Sequence, residues 1–282
     1  MRTSKAKRVI VNADDFGFWP GLTEGILRAH REGIVTSTTV TANMPAAREA
    51  MERLSEAPDL GVGVHLNVSQ GPPLSKEGMA LAGEDGLMHH TAAGVILACL
   101  CRPWLLRAIE AEFDAQIRRV LDHGVRPTHL DSHRHTHAFP PVFARVTALA
   151  KRYSIRFVRW CCERLVGPNW SAAPLKQRCV RWMLNGFAAA DAVIRPEVRA
   201  TRGTWGIAHT GLIDARWLIQ VASVVRPGVT EIMTHPGCAD DVGAGLTRLR
   251  ESRRIEMDAL CDPRVREALA RHGIELVHYG QL

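Results

Sequence analysis

At 282 residues, 46% hydrophobic and 23% charged, the chain has the balance of a globular protein and the length of one α/β barrel. A formal net charge of +7 raises nucleic acid, an anionic membrane or an acidic substrate as partners. However, the cations (Arg152, Arg156, Arg159, Arg178, Arg181, Arg248, Arg250, Arg253 and Arg254 among them) are scattered with few aromatics between them, so no nucleic-acid partner is expected. Seven cysteines without a C-x-x-C pair read as reduced thiols, only Val9 to Val11 is apolar behind Arg2, Lys5, Lys7 and Arg8, and no run reaches the ~18 residues of a membrane span, so a soluble cytoplasmic protein without a signal peptide is expected.

Arg8 to Asn12 is a β-branched run that breaks into Asn-Ala-Asp-Asp-Phe-Gly, a buried strand entering a polar loop. Gly21 to Glu32 repeats apolar residues at helical spacing and stops at Gly33. Ile34 to Asn43 reads as a strand, Ala46 to Ser55 as a helix, and Leu60 to Asn67 as a third strand. This alternation marks a parallel sheet or barrel. Ser69 to His90 has the Gly, Pro and polar content of a long functional loop, and Ala92 to Leu106 is unusually apolar. Further on, helices are predicted over Leu105–His123, Pro141–Tyr153, Leu212–Val225, Leu246–Cys261 and Val265–His272. Strands are predicted over Pro127–Asp131, Ile155–Trp160, Thr230–Thr234 and Ile274–Tyr279. Leu175, Cys179, Trp182, Met183, Phe187 and Ala190 share one helical face. No repeat or linker interrupts the chain, so one domain over 1–282 is expected.

The chemistry collects where strands end. Thr128 to His137 holds four histidines and one aspartate, too many imidazoles for a buried strand, and neutral imidazole is the commonest ligand of first-row divalent metals. Asp14-Asp15, His65-Leu66-Asn67, Asp131-Ser132-His133 and His235-Pro236-Gly237 each follow a predicted strand. In parallel α/β folds the active site lies at the carboxyl ends of strands. Each has a plainer reading: a helix cap for the aspartates, a core histidine for His65, a turn residue for His235. Their coincidence at four strand ends favours a site. Adjacent side chains on an extended strand point opposite ways, so one aspartate is expected to bind metal and the other to stay free as a base. That division suits metal-assisted hydrolysis.

Val11-Asn12-Ala13-Asp14-Asp15-Phe16-Gly17, Gly33-Ile34-Val35-Thr36-Ser37-Thr38-Thr39, Gly63-Val64-His65-Leu66-Asn67, Pro127 to His137 and Thr234-His235-Pro236-Gly237 occur in that order. Together they resemble the YdjC-like (ChbG-type) carbohydrate deacetylases from about residue 8 to about residue 278. The resemblance implies a distorted (β/α) TIM-like barrel that removes N-acetyl groups from amino sugars with one divalent metal, Zn²⁺ or Mg²⁺. Carried over by motif, Asp15, His65 and His133 are the metal ligands, Asp14 the general base and His235 the general acid. Asp131 would orient His235 or another imidazole, and Asn67, His135 and His137 would support the ligands or touch substrate, the last two at the rim. The chain is also similar to the hopanoid-associated HpnK branch, which implies an N-acetylglucosaminyl lipid as substrate.

The middle of the chain departs from members acting on free chitooligosaccharides. Val95 to Leu106 is apolar, and Trp160, Trp170, Trp182 and Trp205 lie in or near variable loops. These residues either pack in the outer layer of the barrel or form an apron that meets lipid at the inner face of the membrane. A soluble chitooligosaccharide substrate, a phosphoesterase with two metals, and a non-catalytic sugar or lipid binder are the competing readings.

Overall fold

A computed structural model describes residues 6–164, 173–193, 198–238, 242 and 247–282. In chain order the elements are β1 (Lys7–Phe16), α1 (Pro20–Arg31), β2 (Ser37–Val40), α2 (Ala47–Glu52), β3 (Gly61–Leu66), β4 (Gln70–Gly71), β5 (Met88–His89), α3 (Ala92–Cys101), α4 (Leu105–Asp122), β6 (His129–Ser132) and α5 (Pro140–Arg152). There follow β7 (Phe157–Val158), α6 (Leu175–Asp191), β8 (Thr204–Trp205), α7 (Ala215–Val224), β9 (Gly228–Thr234), α8 (Glu251–Cys261), α9 (Pro263–Arg271) and β10 (Ile274–Leu276). The large sheet runs β7-β6-β3-β2-β1-β9-β8, with β10 beside the first residues of β1, and every pairing in it is parallel. Among the described residues the two edges meet at one isolated bridge, Phe157 to Arg199, and through Thr204, whose amide bonds the Cys162 carbonyl at 3.2 Å and whose hydroxyl bonds the Trp160 carbonyl at 3.0 Å. The result is a curled half-barrel, the distorted barrel of the sequence reading left short of closure.

Parallel strands covered on both faces need near-continuous apolar runs. Val9, Ile10 and Val11 of β1 are fully buried, each contributing roughly 1.5–3 kcal/mol by leaving water. β2 is buried although it reads Ser-Thr-Thr-Val, because each hydroxyl finds an acceptor inside the sheet. Ser37 donates to the Gly61 carbonyl at 3.0 Å, Thr38 to the Ala13 carbonyl at 2.7 Å and Thr39 to Asp131 Oδ2 at 3.1 Å.

Several boundaries differ from expectation. β1 does not end at Asn12 but continues to Phe16, held by β9 as far as Ala13 and by β2 at Phe16. β2 is shorter than predicted because the Ile34 and Val35 amides bond Leu260 and Ala29 carbonyls outside the sheet. α8 starts at Glu251, while Leu246 lies outside the described residues. The apolar stripe of α6 is split: Leu175 and Trp182 are 74% and 77% exposed, whereas Met183 and Phe187 pack against the core, and Leu184, Ala188 and Asp191 make the fully buried side. Trp160 packs in the core, Trp205 is half-buried, and Trp170 falls outside the described residues. Among the described residues no helix is long and apolar enough to cross a membrane.

Candidate active site

The site begins with an irregularity in β1. Between Ala13 and Phe16 the strand has one residue more than its partner β2 has between Thr38 and Val40, and Asp15 sits at φ +73°. A bulge with a left-handed residue re-aims side chains. Here it brings both aspartates to one pocket, buried around His65, rather than to opposite faces as regular pleating predicts.

Asp15 faces two imidazoles: its Oδ1 lies 3.4 Å from His65 Nε2 and 3.1 Å from His133 Nδ1. Each imidazole is held from behind. His65 Nδ1 donates to Asp131 Oδ1 at 2.7 Å, and His133 Nε2 to Gln70 Oε1 at 3.0 Å. With the far nitrogens holding protons in these bonds, an ion that displaces the proton from a near nitrogen would find its lone pair turned toward Asp15, the arrangement a metal site requires. One atom from each of Asp15, His65 and His133 lies within 4.8 Å of the others, and this donor set fits a single divalent ion. Burial would lower the pKa of His65, but Asp131, Asp14 and Asp15 outweigh it and raise it to about 9. Burial pushes His133 down. The imidazole that Asp131 bonds is thus that of His65.

Asp14 belongs to a different set of bonds. Arg159, fully buried, grips it with two at 2.6 and 2.7 Å, and Asn12 adds one at 2.9 Å. The same guanidinium reaches Asp131 Oδ2 at 2.9 Å and Glu231 Oε1 at 2.8 Å. Burial alone would raise the carboxyl of Asp14, but Arg159 holds it well below the usual carboxylate range. Glu231, where burial prevails, is pushed up. His129 stacks on Tyr279 at 3.9 Å and reaches Asn12 Oδ1 at 3.1 Å, tying the floor of the barrel to the same carboxylate.

His235 stands at the end of β9, on a turn wedged between α1 and α8. A Cβ on Gly25 would meet Gly237 Cα at 2.4 Å, and the Gly237 and Cys238 amides bond the Arg253 and Gly21 carbonyls. Glu256 accepts from the His235 amide at 2.6 Å and lies 3.9 Å from His235 Nδ1. Burial pushes the imidazole down to about 4 and the Glu256 carboxyl up to about 8, so at neutral pH the carboxyl keeps its proton and the imidazole is uncharged. One turn earlier on α8, buried Arg253 donates to Asp15 Oδ2. Burial would raise Asp15, and Arg253 with His133 outweighs it.

The remaining candidates behave differently. His137 is not at the rim but buried, clamped between Ser132 Oγ at 2.6 Å and the Arg159 carbonyl at 3.2 Å, which makes it a brace for the Arg159 backbone. His135 is half-buried and, like Arg134, adopts φ +56°; its Nδ1 lies 3.8 Å from Cys161 Sγ. Two successive left-handed non-glycine residues cost about 1–2 kcal/mol each, a strain typical of functional loops. Asn67 is buried with its side chain spent on Asn43, Ser69 and Gln70, so it shapes the turn that presents Gln70. Arg159 and Arg253, which read as two of many scattered cations, are buried at the centre, and Glu231, Glu256 and Gln70 were not anticipated. The legible signal was a charged residue inside an apolar strand, Arg159 in I-R-F-V-R-W and Glu231 in T-E-I-M-T. For Arg253 and Glu256, in the charged run E-S-R-R-I-E, no such signal exists.

Fold and site together define an α/β half-barrel with a carboxylate–imidazole centre at its strand ends. The family model of the YdjC-like proteins matches residues 8–271, and the chain belongs to that family. A carbohydrate deacetylase from Geobacillus stearothermophilus is 31% identical over 272 residues, covering 96% of each chain. One from Brevibacillus brevis is 30% identical over 275 residues, 98% of this chain and 99% of its own. Among solved structures, a candidate cellobiose-phosphate cleavage protein from Enterococcus faecalis superposes with a TM-score of 0.81 at 28% identity over 98% of both chains.

Proposed function

We propose that this chain is a metal-dependent hydrolase that removes an N-acetyl group from an amino sugar. It acts as one deacetylase domain, in the cytoplasm at the inner face of the membrane, on an N-acetylglucosaminyl hopanoid lipid, within the HpnK branch of its family. The observation that carries the chemistry is the separation of two adjacent aspartates around His65: Asp15 against the near nitrogens of two imidazoles, Asp14 against Arg159. The names of the relatives support the substrate class.

Asp15, His65 and His133 would hold the ion, Zn²⁺ or Mg²⁺, which when bound supplies a Lewis acid for the acetamide carbonyl and acidifies water. Asp14 takes the proton of the attacking water, and Arg159 keeps its carboxylate ionised and aimed. His235, uncharged at neutral pH, gives a ring proton to the departing amine while its other nitrogen takes one up, and the protonated Glu256 carboxyl 3.9 Å from Nδ1 is the nearby source. Loss of either proton-transfer group is expected to cost about 10²–10⁴ in rate. A two-metal phosphoesterase is disfavoured: the second acidic cluster, Asp14, His65 and Asp131, shares His65 and is already filled by the Arg159 cation.

Acetate release is measured from an N-acetylglucosaminyl lipid and from a chitooligosaccharide, before and after chelation, with Asp14→Asn and His235→Ala alongside. Near-normal turnover in either variant, or full activity without metal, would overturn the assignment. A preference for the soluble sugar would remove the lipid.

A further inference from the structure

We propose that α3 and α6 form a two-helix anchor that docks the mouth of the site onto an anionic lipid bilayer. α3 has no charged residue in ten, and only Val95 and Cys99 of it are buried. Leu97 and Leu100 are 62% and 64% exposed, and Trp104, three residues beyond its end, is 57% exposed. On α6 the outward stripe is Leu175, Cys179 and Trp182, spaced i, i+4, i+7. Soluble proteins seldom leave large apolar side chains clustered in water, and helices with an outward apolar face and interfacial tryptophans are the usual shallow membrane anchors. Both helices pack against the His133–Ala138 segment that carries His133 and His135, so their exposed faces flank the site itself.

Charge selects the occupant. The chain has 29 Asp and Glu among its residues, about one in ten, yet residues 86–109 and 164–190 contain none. The same stretches carry Arg102, Arg107 and Lys176, all exposed beside the apolar stripes. A second copy would bring like charges together, whereas an anionic bilayer accepts both the apolar faces and the cations. The inference deepens the lipid-linked reading above and rests on it only for the purpose of docking.

The full chain is sedimented with vesicles of phosphatidylcholine and of phosphatidylcholine mixed equally with phosphatidylglycerol, with tryptophan emission followed in parallel. Wild type is expected to bind the anionic vesicles, to shift its emission to shorter wavelength, and to be released by salt. Leu97→Glu with Trp104→Glu, and separately Trp182→Glu, should each weaken partition at least about tenfold. Both should leave acetate release from a soluble chitooligosaccharide unchanged, which also reports that they fold. No binding by wild type, or equal binding to both vesicle types without salt dependence, would overturn the anchor. So would a dimer seen by light scattering that the same variants dissolve, since the face would then belong to a second copy. Vesicle binding without acetate release from any substrate would refute the deacetylase reading and support the anchor.

Discussion

Removing the Arg159 guanidinium tests the electrostatic core of the site. Its side chain is fully buried and contacts Asp14, Asp131 and Glu231 at 2.6 to 2.9 Å. In Arg159→Met these carboxylates keep their burial and lose their cation, a loss typically of about 3–5 kcal/mol for one buried pair. A ceiling follows from protonation, because a carboxylate that cannot stay charged takes up a proton. For an aspartate of ordinary pKa near 3.9 that costs about 4 kcal/mol at pH 7 and about 2 kcal/mol at pH 5.5, taking 1.36 kcal/mol per unit. The sign is fixed by the shift. In wild type Asp14 is depressed, so its stabilisation is present above the ordinary value and lost only as pH falls through the depressed one. In the variant the folded carboxyls rise above their unfolded values, so stability is lost as pH rises. Urea unfolding at pH 7 and pH 5.5 should give the variant a deficit of about 4 kcal/mol or more at pH 7, shrinking by about 2 kcal/mol for each stranded aspartate at pH 5.5. Arg159→Lys, which keeps the charge but loses the fork, should fall between. Equal deficits at the two pH values would refute the reasoning.

Gln70→Leu removes the acceptor behind His133 Nε2 and should weaken Zn²⁺ binding about 10–100-fold by calorimetry; an unchanged affinity would show that Gln70 does not orient the imidazole. Gly25→Ala sets a methyl group into the Gly237 backbone, and a cost of about 1–3 kcal/mol is expected, together with slower turnover because the displaced turn carries His235. Normal melting and turnover would mean that the turn yields freely. Glu256, raised to about 8 by burial, contributes stability that is fully present below its unfolded value and lost as pH rises through 8. Glu256→Gln should therefore flatten the decline in melting temperature between pH 5.5 and pH 8.5, and a decline as steep as in wild type would show that another group causes it.

The strand-end motifs were readable because they obey local rules: a β-branched run stopping at titratable residues marks the carboxyl end of a strand, and four such ends converge in a parallel sheet. The βαβ alternation was legible for the same reason. β8, two residues long, carries too little pattern to detect. The stripe on α6 was visible as periodicity, but periodicity does not say whether an apolar face meets protein or something else, and here Leu175 and Trp182 turn outward. His137 looked like a rim residue because it shares a loop with His133. The left-handed turn at Arg134 and His135 folds it back into the barrel, and no single-sequence rule anticipates two such residues in succession.

The bulge at Asp15 explains why a site built on neighbouring aspartates needs the far end of the chain. A regular β1 would send one carboxylate toward the helices, where an ion could not share it with His65. The left-handed turn that prevents this costs about 1–2 kcal/mol. It is offset by the charge-assisted bond that Arg253 on α8 donates to Asp15. α8 also supplies Glu256 to the turn of His235, so one helix holds both Asp15 and that turn. Asp14 needs no such support from α8, since Arg159 on the opposite wall holds it. The two aspartates thus answer to different parts of the fold, and a disturbance of α8 should loosen Asp15 and His235 while leaving the Asp14–Arg159 pair intact.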